Sequence, residues 1–194
     1  MSLELLRDSR LFALLLHIDR EVAAEVRAGR CLECGGRLDT SDYPRKPRGG
    51  PPPELKEEYS YRFSLCCDVE GCRTRSTPPS VRYLGRRVYM GAAVILVSAM
   101  IHGVTDKRLA ELRERVYPTL GKDTILRWRA WWRETLPATP FWQANRARFD
   151  RPLDKAELPA SLLPRFGEDE RDRLAATLKF LSPLTVRPRS PRAG

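Results

Sequence analysis

Two tight cysteine clusters, Cys31-Leu-Glu-Cys34 and Cys66-Cys67-Asp-Val-Glu-Gly-Cys72, constrain this chain more than any other feature. Five cysteines in two groups fit metal binding better than a disulfide framework, which pairs an even number. A Cys-x2–4-Cys pair supplies half of the tetrahedral four-ligand set that zinc prefers. Cys31/Cys34 has that spacing, and Gly35-Gly36 after it allows the tight turn in which backbone N–H groups approach sulfur. In the second cluster Cys67-x4-Cys72 fits, whereas Cys66-x5-Cys72 is one residue too long. Alternation makes the same choice: Tyr61, Phe63, Leu65 and Cys67 fall on one strand face, and Arg62, Ser64 and Cys66 on the other. The expected ligands of one structural Zn²⁺ are therefore Cys31, Cys34, Cys67 and Cys72, with Cys66 a spare thiol. A redox Cys-x-x-Cys is the weaker reading, because no βαβ pattern surrounds Cys31.

The segment between the pairs, Gly35–Cys66, is longer than a minimal zinc ribbon needs. Its centre, Tyr43–Pro53, is too rich in proline for helix or central strand. It reads as an extended basic loop at the tip of the metal module. Such an arm suits a DNA minor groove, with Arg45, Lys46 and Arg48 following the negative potential.

Charge points the same way. The 35 Lys+Arg against 25 Asp+Glu leave a formal +10, and the surplus falls wholly after residue 58. Most of these cations are arginine, which makes bidentate contacts with phosphate and guanine edges. An arginine-rich proteome would give the same composition, so composition alone does not establish nucleic acid as the partner. A connector, Thr77–Arg87, adds Arg82, Arg86 and Arg87 as candidate DNA contacts.

Helical patterns follow. Tyr89–His102 is almost wholly apolar and predicts a buried helix closed by Gly103. Thr105 is an expected N-cap for a second helix, with Leu109, Leu112 and Val116 on one face. A third helix is expected from near Asp123, with Ile125, Trp128, Trp132 and Leu136 as its buried stripe. Its other side presents Thr124 and Arg127, with Trp131 at the edge. The arrangement is a helix-turn-helix candidate in which Lys122 and Thr124 reach phosphates and Arg127 a base edge. The Tyr117–Lys122 connection is longer than the usual turn of such a motif.

Cys31-x2-Cys34-Gly, an aromatic-rich strand, Cys67-x4-Cys72 and then Thr124-Ile125-Leu126-Arg127-Trp128 resemble the N-terminal half of insertion-element transposases. The resemblance covers roughly residues 28–135 and implies a zinc ribbon and a helix-turn-helix that bind double-stranded DNA at element ends or a promoter. It also implies a bacterial, nucleoid-associated cytoplasmic setting. Those transposases continue into an RNase H-like domain with three metal-binding acidic residues, whereas here only about 60 residues follow.

The resulting expectation is an α-rich (α+β) chain in five parts. These are an N-terminal amphipathic helix (1–28), a zinc-ribbon module (29–84), a helix-turn-helix-like domain (85–141), a Pro-punctuated segment with a helix over Glu168–Leu181 (142–182), and a basic tail (183–194). Met1–Leu16 is too charged for a signal peptide, and no apolar run approaches the ~20 residues that span a bilayer. His17 and His102 lie in no cysteine cluster, and no Walker A, GxGxxG or nucleophile-elbow motif occurs. No catalytic constellation is expected. The leading reading is a noncatalytic DNA-binding accessory or regulatory factor of a mobile element, acting with a transposase or recombinase subunit, with homo-oligomerisation open. The alternatives are a protein-interaction adaptor that docks through its terminal helices, and a compact transposase or nuclease with an unrecognised acidic site.

Overall fold

The computed structural model describes residues 2–48, 51, 53–84, 89–100 and 105–186. The protein is α-rich α+β, with a small antiparallel β part and a larger helical part. Helix α1 (Ser9–Ala28) begins at Asp8, whose carboxylate accepts the Arg10 N–H at 3.0 Å. Leu11, Phe12, Leu15 and Leu16 recur at helical spacing and are buried. The same stripe continues to Asp19, a buried carboxylate.

Between α1 and the next helix lie two small sheets. The first is ordered β1 (Leu38–Thr40), β4 (Leu65–Cys67), β5 (Arg75–Ser76), with Leu38 opposite Cys67 and Leu65 opposite Ser76. The second pairs β2 (Tyr43–Pro44) with β3 (Tyr61–Arg62). This division overturns the continuous alternation expected from Tyr61 to Cys67. Leu65 and Cys67 are buried and Cys66 half-buried, as alternation requires, but Tyr61 is 48% exposed while Arg62 and Ser64 are buried. Phe63-Ser64 carries the chain from one sheet to the other, so the two strands do not share a face. The Ser64 N–H donates to Asp42 and its carbonyl accepts the Ser41 N–H at the crossing.

Helix α2 (Gly91–Met100) is buried on all sides from Ala92 to Val97, as its apolar sequence demands. The expected closure at Gly103 and the position of His102 lie outside the described residues. Helix α3 (Asp106–Arg115) is capped by Thr105, whose hydroxyl accepts the Arg108 N–H. After a turn comes α4 (Lys122–Ala130), whose stripe Ile125, Trp128, Trp132 and Leu136 is buried. A π-helical turn, Trp131–Thr135, connects α4 to a short helical turn, α5 (Leu136–Ala138). Pro137 has no N–H and crowds the preceding turn, which accounts for the widening there. Helices α6 (Pro140–Asn145) and α7 (Glu170–Leu181) follow. Asp169 caps α7 by accepting the Arg171 and Asp172 N–H groups.

One core joins residues from Leu3 to Leu181, with Trp128, Trp132 and Trp142 its largest buried side chains. A separate small cluster of Cys31, Leu38, Leu65 and Cys67 lies under the cysteine centre. Arg171 on α7 donates to Asp8 at 2.9 Å, tying together the starts of α1 and α7.

Candidate metal centre and nucleic-acid surface

The two cysteine clusters form two turns that face one another. In the first, the Gly35 N–H donates to the Cys31 carbonyl at 2.8 Å and the Cys31 N–H to the Gly36 carbonyl at 2.9 Å. Gly35 takes φ +70°, open to glycine at little cost. A Cβ on Gly36 would stand 3.0 Å from the Cys67 sulfur, so only glycine lets the first turn close over the second cluster. In the second turn the Cys72 N–H donates to the Val69 carbonyl, and the Cys67 N–H to that of Thr74.

This folding places the sulfurs of Cys31, Cys34, Cys67 and Cys72 all within 4.8 Å of one another. Cys34 and Cys67 are 3.4 Å apart and Cys31 and Cys72 3.7 Å apart. A tetrahedral ion with metal–sulfur bonds of about 2.3 Å needs sulfur–sulfur edges of about 3.8 Å, so the four thiols suit one metal ion. Cys66 stands outside the group, its thiol directed to the Cys67 and Arg73 carbonyls. Hydrogen bonding with the Thr74 hydroxyl and N–H brings the Cys72 thiol down to about 6, whereas burial pushes Cys67 up to about 12. A metal binding here displaces the Cys67 proton.

The surroundings of this centre do not favour phosphate. On and beside the two turns Arg30, Arg37 and Arg73 are matched by Glu33, Asp68 and Glu70, and Arg37 is paired with Asp39 and Asp68. A divalent ion on four thiolates adds a net −2. The apolar tips Leu32 and Val69 are exposed.

The expected DNA contacts separate into three groups. Arg82 is a correction: it is fully buried and reaches no solvent. Its Nε donates to Asp19 at 2.7 Å and its Nη1 to the Glu58 carbonyl at 2.9 Å. The rings of Phe63, Tyr59 and Tyr83 pack around the guanidinium, the nearest centroid 4.4 Å away. Asp19 also accepts the Ser80 hydroxyl and the Val81 N–H, both at 2.6 Å. The pair fastens α1 to the connector and to the cysteine module. Sequence reading missed it because charge alone suggested exposure, although position 19 continues the stripe of Phe12, Leu15 and Leu16.

Arg86, Arg87 and the tail Arg187–Arg192 lie outside the described residues. The remaining contacts are accessible in differing degrees. Lys46, Arg48, Lys122 and Arg127 are exposed, while Arg45, Thr124 and Trp131 are half-buried. Trp131 packs edge-on against Trp132 at 4.9 Å. Arg127 lies along its own helix, donating to the Thr124 hydroxyl at 3.1 Å and to the Asp123 carbonyl.

The basic loop departs from the free arm expected at the tip of the module. The Arg45 N–H donates to the Ser60 carbonyl, and the Met90 N–H to the Arg48 carbonyl at 2.9 Å. The Arg48 guanidinium stands over Tyr89 and Tyr117 at 5.9 and 5.7 Å. Backbone hydrogen bonds and cation–π contact thus hold the loop against the helical core, where Arg48 meets the α3–α4 connection. No helix among the described residues is long and apolar enough to cross a membrane. No protein-family model, curated protein or solved structure matches the chain.

Proposed function

We propose that this chain is a zinc-stabilised protein that binds double-stranded DNA through α4 and the basic loop. The observation that carries the reading is the exposed side of α4, where Lys122 and Arg127 flank Asp123 and Leu126 opposite a fully buried stripe, with the basic loop brought beside it by Arg48 on Tyr117. Cys31, Cys34, Cys67 and Cys72 hold one Zn²⁺, and four thiolates leave no open coordination position, so the ion is structural. Helices α3 and α4 act as a helix-turn-helix with α4 entering the major groove. Arg45, Lys46, Arg48 and Lys122 neutralise four phosphates, the Thr124 hydroxyl hydrogen-bonds one of them, and Arg127 swings out to a base edge. The acidic balance around the cysteine centre turns that end away from DNA. The resemblance to insertion-element transposases supports an accessory or regulatory role beside a transposase or recombinase subunit.

Titration of labelled duplex DNA against salt tests this reading. Four phosphate contacts at about −0.9 each predict a log–log slope near −3.6, roughly a hundredfold loss between 50 and 200 mM salt. An affinity independent of salt would sink the proposal. Arg127→Ala is expected to relax preference at one base pair by about 1–3 kcal/mol in a binding-site selection. Uniform weakening across all sequences would instead place Arg127 on the phosphate backbone.

A further inference from the structure

We infer that the groove between α1 and the three-stranded sheet docks an acidic, apolar peptide segment of a protein partner. The first half of α1 buries one face in the helical core, but from Arg20 to Ala28 no residue is buried. Along that half Arg20, Ala23, Ala24 and Arg27 share one stripe, by their three- and four-residue spacing. They form one wall of a groove of about 250 Å³, with Phe63 and Leu65 on the facing side.

Size, floor and charge select the occupant. The volume lies below the roughly 300–1,000 Å³ of small-molecule pockets and has room for side chains rather than a cofactor. The floor of alanine, leucine and phenylalanine gains most from an apolar side chain. Arg20 and Arg27 stand about 10 Å apart along the helix axis, seven residues at 1.5 Å each, and bracket that floor. Neither guanidinium has an ion pair or hydrogen bond among the described residues. Carboxylates on both sides of an apolar residue complete the site. A nucleic-acid strand would meet the arginines but would bury nothing against the floor. Asp42, which also lines the groove and accepts the Ser64 N–H, repels phosphate and carboxylate alike and so does not choose between them. The proposal does not rest on the DNA-binding reading.

The test uses the full chain and three dye-labelled peptides, read by fluorescence anisotropy. Glu-Glu-Leu-Leu-Glu-Glu is expected to bind at least about tenfold more tightly than Glu-Glu-Ser-Ser-Glu-Glu or Lys-Lys-Leu-Leu-Lys-Lys. The double substitution Arg20→Gln with Arg27→Gln changes two exposed side chains without reversing their charge and is expected to remove that preference. In the same preparation its circular dichroism should match the parent, and its affinity for duplex DNA should shift by less than about twofold. Equal binding of the leucine and serine peptides overturns the docking site, because attraction to a basic protein then suffices. Peptide binding that survives the double substitution overturns it too. Loss of DNA affinity in that variant makes the groove a phosphate site instead.

Discussion

Metal analysis of the purified protein is expected to give about one Zn²⁺ per chain, and Cys67→Ser is expected to abolish it. A structural zinc supplies on the order of 10–16 kcal/mol of apparent binding free energy at neutral pH, which becomes folding free energy when the site forms only on folding. Here the metal has unusually little help. The cluster beneath it consists of Cys31, Leu38, Leu65 and Cys67, and strands β1, β4 and β5 have only two or three residues each. Short strands with so small a core are not stable alone. Chelation is therefore expected to unfold the cysteine module, seen as loss of amide-exchange protection over Cys31–Thr40 and Leu65–Ser76, while the Tyr59 segment, whose side chain lies in the helical core, and α2 and α7 remain protected. Cys66→Ser should retain full metal, since that thiol faces the Cys67 and Arg73 carbonyls rather than the other sulfurs. Metal lost in Cys66→Ser and kept in Cys67→Ser would overturn the ligand assignment.

Asp19→Ala is expected to lower stability by about 3–5 kcal/mol, the range for removing one partner of a buried ion pair. Both side chains are out of solvent, and Asp19 takes three hydrogen bonds: from Arg82, from the Ser80 hydroxyl and from the Val81 N–H. Its removal leaves the Arg82 charge uncompensated beside Arg62, a second buried guanidinium whose pKa burial already lowers. Urea unfolding should show a lower midpoint with an unchanged slope. Replacing both partners, Asp19→Ala with Arg82→Met, should recover only the part of the loss due to the unpaired Arg82 charge, because the Ser80 hydroxyl, the Val81 N–H and the Glu58 carbonyl still lose their partners. A loss below about 1 kcal/mol for Asp19→Ala alone would show that the pair is not the joint described here.

The two halves of the site differ in how legible they were. Metal-ligand candidates could be chosen from spacing because the clusters Cys31–Cys34 and Cys67–Cys72 are each a single turn, closed by bonds between residues three to seven apart. The strand argument used beside spacing agrees with the cluster, in which Cys67 and not Cys66 joins the other sulfurs, and fails upstream, where Phe63-Ser64 changes sheet. Basic residues were harder. Arg82 and Lys122 look alike as charges in a sequence, yet one is enclosed by Asp19 and three aromatic rings and the other is exposed.

Sequence by itself determined the local elements of this protein. The Thr105 cap, the stripe from Ile125 to Leu136 and the turn after Cys34 all follow from interactions between near neighbours in the chain. Only the tertiary structure decided that the four thiols meet, that Arg82 belongs to the interior, that the basic loop lies on Tyr117, and that the second half of α1 faces a groove. Each of these depends on partners far apart in sequence, such as Asp19 and Arg82, 63 positions away from one another. Burial and pairing at that range are set by how the elements pack; neighbouring residues can mark a position as inward-facing, as the α1 stripe does for Asp19, but do not name its partner.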